Sequence, residues 1–219
     1  MGGRKVVIRI VSIMACLLVG AFPLTATAAP LGLTLQDTPN VTSGLLDVSY
    51  NASADEFLAN GFALNLAVDS FLLPIITDGP GSFHISATID ESGNPSAGTL
   101  SIAGGVLGFG PTLLTATLTD FGFSDGGGDT FEFLFTVNGG DLAIPALYGD
   151  PGAVVGVILD ANGSNFTGSF ATDFTNNPAA LTLGQGVSQT APVVPEPATV
   201  LLVLLTGVLV PLRRRQRAA

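Results

Sequence analysis

Residues 131–137 read Phe-Glu-Phe-Leu-Phe-Thr-Val, with an aromatic or aliphatic side chain at every second position. Successive side chains of a strand point to opposite faces, so this spacing builds one apolar face on a strand and none on a helix. The pattern recurs. Phe83, Ile85, Ala87 and Ile89 alternate with His84, Ser86 and Thr88, and Leu114, Ala116 and Leu118 alternate with Thr115, Thr117 and Thr119. Phe62, Leu64, Leu66 and Val68 form another row, and Leu100 with Ile102 a shorter one. Val154 to Leu159 is apolar on both faces, as a central strand would be, and Phe166 and Phe170 fall on one face of a glycine-interrupted strand. Asp78-Gly79-Pro80-Gly81, Ser92-Gly93-Asn94-Pro95, Asp125-Gly126-Gly127-Gly128, Asn138-Gly139-Gly140 and Asn162-Gly163 supply the turns. No helical period of useful length occurs between them. The expected fold is all-β: a single antiparallel β-sandwich or jelly roll over 30–175, flanked by an N-terminal signal peptide and a C-terminal transmembrane helix. A β-solenoid is the second choice and lacks its strict repeat. The polar, Gly- and Pro-containing stretch 176–192 is expected to be a linker.

The two ends have a different character. Arg4, Lys5 and Arg9 precede an apolar run from Ile10 to Leu24, and Ala26-Thr27-Ala28 gives the small-x-small pattern of a cleavage site before Ala29. Residues 1–28 therefore read as a signal peptide. The one cysteine, Cys16, lies inside the apolar run and is not placed as a lipidation site. At the other end Val194-Pro195-Glu196-Pro197 is followed by an uncharged, largely aliphatic stretch from Ala198 to Leu212. Arg213, Arg214, Arg215 and Arg217 come next. Fifteen helical residues cover roughly 22 Å, short of a comfortable crossing, but flanking valines and snorkelling arginines extend the reach. Arginines at one end predict that this end stays cytoplasmic. Pro195 and Pro197 hold the chain extended, and Glu196 suits a helix N-terminus.

This combination over 193–217 closely resembles the PEP-CTERM sorting signal of exported bacterial proteins, a tail also called the ice-binding protein C-terminal domain. The resemblance implies recognition by an exosortase, a membrane-embedded transpeptidase-like enzyme, and removal of the tail near Pro195-Glu196-Pro197. It implies transient residence in the inner membrane, then delivery to the cell surface or extracellular matrix, where such proteins associate with exopolysaccharide.

All seven Lys and Arg lie in the two terminal segments, whereas of the seventeen acids only Glu196 does. The body between them is thus purely anionic, which excludes nucleic acid as a partner. Without cysteine it contains no disulfide, so packing must hold it together. Its catalytic inventory is thin. His84 is the only histidine and sits on a polar strand face, so a Ser-His-Asp arrangement and histidine metal sites find no support. Glu56, Glu91 and Glu132 are the glutamates available to a carboxylate-dependent polysaccharide hydrolase, but tryptophan platforms are missing. Calcium is the one cofactor with a candidate site: Asp125 and Asp129 bracket a triglycine, and Asp160-Ala161-Asn162-Gly163-Ser164 places oxygen ligands at alternate positions. Neither loop completes a known calcium pattern. Thr115, Thr117 and Thr119 invite an ice-binding reading, which requires matching rows on neighbouring strands, and only this one is visible. The expectation is an exported, non-enzymatic structural or adhesive protein that needs no cofactor. The alternatives are a secreted polysaccharide hydrolase and a calcium-dependent binding module.

Overall fold

A computed structural model of the chain describes residues 29–77, 79, 81–124, 129–179 and 183–194. The expected signal peptide, all of the expected sorting signal beyond Val194 and the expected helix at 198–212 lie outside the described residues. Among the described residues ten strands carry the fold: β1 (Asn40–Asn51), β2 (Glu56–Val68), β3 (Phe71–Pro74), β4 (Phe83–Ile89), β5 (Pro95–Ala103), β6 (Thr112–Phe123), β7 (Thr130–Gly139), β8 (Val154–Asp160), β9 (Phe174–Thr175) and β10 (Gly186–Pro192). The described residues contain no helix, and hence none able to cross a membrane.

The all-β expectation holds, but the sheet closes on itself instead of splitting into two packed layers. Neighbours run β2-β4-β5-β6-β7-β8-β10-β1, and β1 pairs back with β2, giving an antiparallel barrel of eight strands. β3 extends β2, and β9 pairs with the last part of β1. The closing strand is β10, between β8 and β1. It comes from the segment expected to be a linker, so the domain runs past residue 175 to Pro192. Ser188 and Thr190 point into the barrel while Val187 and Gln189 face out. Small polar interior residues hide the strand's periodicity in the sequence. Along β1, β10 covers Val41 to Leu46 and β9 covers Ser49 and Tyr50. Asn176 fills the gap: its Oδ1 accepts from the Val48 amide at 2.8 Å and its Nδ2 donates to the Leu46 carbonyl at 2.9 Å.

An eight-stranded barrel is just wide enough for side chains to fill. Here the alternating rows do so: Phe83, Ile85 and Ile89 from β4, and Phe131, Phe133, Phe135 and Val137 from β7, are fully buried or nearly so. Loops plug both ends. At one end Phe166 and Phe170, expected in a strand, instead lie in the irregular segment after β8 and drop into the barrel mouth. Phe170 packs on Tyr50, Phe121, Phe123 and Phe174 with ring centroids 4.7–5.5 Å apart. At the other end Tyr148, 1% exposed, and Leu142 close the mouth from the segment between β7 and β8.

The chain before β1 lies on the outer wall. Leu35 pairs with Val193, and Gly32 N–H donates to Glu132 Oε2 at 2.7 Å. Gly156 and Gly122 make room for it. A Cβ on Gly156 would come within 2.6 Å of Leu35, and one on Gly122 within 2.5 Å of the Ala29 carbonyl. This strap covers the outer face of β8 and explains why that strand is apolar on both sides.

Candidate functional surfaces

With the barrel filled, chemistry is left to its outside. The outward positions of β4, β5, β6 and β7 are those that alternate with the core rows, and antiparallel register lines them up. Ser86 stands opposite Thr99, Thr99 opposite Thr117 and Thr117 opposite Thr136, a row of four hydroxyls across four strands. Beside it, Asn60, His84, Ser101 and Thr115 form a second row. Neighbouring strands lie about 4.8 Å apart and like-facing residues about 6.8 Å apart along a strand, so the two rows make a regular grid. Asn60, Thr99 and Thr117 are exposed, the others partly so. Asn138 Nδ2 donates to Thr117 Oγ1 at 2.8 Å, which fixes that hydroxyl as an acceptor, and Thr115 donates to the Gly139 carbonyl at 3.3 Å. No carboxylate belongs to either row. On a protein this acidic, an uncharged wall of donors and acceptors is a distinct surface. Sequence showed the threonines of β6 alone. Their neighbours on β4, β5 and β7 were visible only as polar members of separate alternations, and only register joins them. The wall meets the demand for adjacent rows that an ice face makes, though on a twisted barrel wall and not on a flat sheet. His84 sits in this wall as an ordinary strand residue.

At the rim beyond the ends of β6 and β8 the two calcium-loop candidates come together. Asp129 precedes β7, Asp160 ends β8, and Thr130 pairs with Asp160. Ser164 Oγ donates to Asp129 Oδ1 at 2.6 Å. Burial and the nearby Asp129 charge push the Asp160 carboxyl above its ordinary value, and the Asn162 amide opposes this. The Asn162 side chain turns away to the Gln185 carbonyl at 3.4 Å. Asp125 is outside the described residues, which contain no group of three or more acid, His or Cys ligands.

No protein-family model, curated protein or solved structure matches the chain.

Two further acids near this rim are engaged in local structure. Asp90 accepts from the amides of Ser92 and Asn94 at 2.9 and 2.8 Å, and these bonds hold its carboxyl below the usual range. Asp173 accepts from the Ala52 amide at 2.8 Å. The glutamates are dispersed: Glu56 on β2 and Glu132 on β7 occupy walls separated by β4, β5 and β6. Of the sorting motif, Val194 is described; its amide donates to the Thr34 carbonyl at 2.8 Å, beside the end of β10. Ala29, next to the cleavage region, is exposed where the strap begins. Ala26, Ala28, Pro195, Glu196, Pro197, Arg213, Arg214, Arg215 and Arg217 lie outside the described residues.

Proposed function

We propose that this is an exported, surface-sorted bacterial protein of structural or adhesive type, a non-catalytic barrel that associates with extracellular polysaccharide. It carries a PEP-CTERM tail that holds it in the membrane until an exosortase removes that tail. The wall of Ser86, Thr99, Thr117 and Thr136 carries the polysaccharide reading. Neutral sugars present hydroxyls that both donate and accept, and this wall offers the same chemistry on a fixed grid with no charge to desolvate. The dispersed glutamates and the filled interior favour a surface role over the hydrolase alternative. The test is retention of the protein on polysaccharide-containing gels. Thr99→Asp with Thr117→Asp should abolish retention while leaving the fold, whose core these residues do not touch, intact. Undiminished retention of the double variant, or partition of the protein into ice, would overturn the assignment. Sorting is tested separately: Glu196→Ala should leave an unprocessed, membrane-held form.

A second reading, calcium binding at the rim, is favoured by one observation. The fold brings Asp129, Asp160 and Ser164 together from loops the sequence separates by about thirty residues. A rise in melting temperature at millimolar calcium, lost in Asp160→Asn, supports it; an unchanged melting temperature sinks it.

A further inference from the structure

Among the described residues, the four most exposed large apolar side chains all lie at one end of the barrel. They are Leu107 (76% exposed), Ile76 (75%), Phe71 (69%) and Leu72 (66%). This is the end at which β10 finishes and Val194 leaves the wall, because β5 and β10 both run toward it while β1, β6 and β8 start from it. Ile144 and Val154, also exposed, continue the apolar rim toward Val194. Within it lies a groove of about 990 Å³, lined by Leu73, Pro74, Ile76, Val106, Phe109 and Pro111 among others, with no charged residue among its described lining. The opposite rim is the more acidic, with Asp55, Glu56, Asp90, Glu91, Asp129 and Asp160, but this one also carries Asp37, Asp69, Asp141 and Asp150, all outside the described groove lining.

Leu107 is the most telling of these. Val106 and Phe109 exchange backbone hydrogen bonds of 3.0 and 2.8 Å around Leu107 and Gly108, whose φ values are +47° and +87°. Such two-residue turns with positive φ at both central positions ordinarily use Asn-Gly, because a branched apolar side chain is strained there. A leucine in this position, left largely exposed, costs backbone energy and contributes little burial in return. The hairpin is held rigidly, since Ile76 and Gly105 exchange bonds of 2.9 and 2.8 Å.

We infer that this rim, with Leu107 and Ile76 at its tips, rests in the surface of the lipid bilayer while the tail is in place. The inference builds on the membrane-stop reading of residues 198–212. Only three residues lie between Val194 and Ala198, and the four residue steps from one to the other reach at most about 14 Å. The short tether holds this end, and not the more acidic one, against the lipid. Apolar loop tips then bury in the interface.

The test uses the full chain in phosphatidylcholine vesicles, with Cys16→Ser so that one introduced thiol carries an environment-sensitive fluorophore. Labels go at Leu107→Cys, Ile76→Cys, Ser92→Cys on the acidic rim, and Leu204→Cys in the tail. These rim positions are exposed, so labelling disturbs no packing. Doxyl-lipid quenching at 76, 107 and 204 with none at 92 is the expected result. Quenching at 204 alone overturns the rim inference and leaves the anchor standing. No quenching at 204 removes the anchor and the inference with it. Quenching at 92 in place of 107, or a blue shift at 107 without quenching, as a second protein copy would give, also overturns it.

Discussion

The Tyr148 hydroxyl donates to the carbonyl of Thr190 at 2.7 Å, from the plug between β7 and β8 to the strand that closes the barrel. Val41, opposite Thr190 on β1, also presents its backbone to this phenol. One side chain thus ties the end plug to the seam between the first and last strands. Tyr148→Phe keeps the ring and removes the bond. It should lower stability by about 1–2 kcal/mol, read from the urea midpoint at unchanged m-value.

Both body tyrosines resist ionisation. Burial is the main cause at each; it pushes Tyr50 up to about 12, with Asp55, Asp90 and Asp173 adding to the effect, and raises Tyr148 still further. An unfolded tyrosine ionises near pH 10, so the stability tied to the neutral phenols is fully present below that value. It is lost as pH rises through about 10 to 12 and beyond. Urea midpoints measured from pH 8 to 11 should hold level and then fall, and Tyr148→Phe should reduce the fall.

Asn176 supplies the hydrogen bonds that neither β9 nor β10 reaches, to Val48 N–H and the Leu46 carbonyl. Its replacement by alanine strands two buried backbone groups at about 1–3 kcal/mol each. Asn176→Ala should therefore cost about 2–5 kcal/mol in equilibrium unfolding, a loss no residue of a free linker would show.

Burial first, and then the charge of Asp129, raise the Asp160 carboxyl above its ordinary value. A carboxyl raised in the folded state contributes most below the unfolded value near 3.9 and loses that contribution as pH rises through its folded value. Asp160→Asn should raise the urea midpoint at pH 7 without calcium and leave it nearly unchanged at pH 3.

The strands themselves were legible because their reason is local. Phe131, Phe133 and Phe135 declare their face by spacing alone. The outward threonines of β6 were legible for the same reason, but the wall was not, since Ser86, Thr99 and Thr136 join it only through register. The plug residues Phe166 and Phe170 read as strand residues because an apolar pair four apart looks alike in a strand and in a loop that dives into a core. The Asp129–Ser164 contact has no local signal at all, as it depends on β7 and β8 being neighbours.

By itself the sequence determined an all-β body without disulfides, carrying only negative charge, between an N-terminal segment with basic residues before an apolar run and a short apolar stretch followed by arginines. Those properties follow from composition and from the two-residue period, which need no knowledge of which strand meets which. Only the tertiary structure decided that the sheet closes. Closure rests on β10, whose inward Ser188 and Thr190 carry no hydrophobic signature and whose place between β8 and β1 is set by long-range backbone pairing. Closure in turn put the hydroxyl rows side by side on one wall and the four barest of the described apolar side chains at one rim.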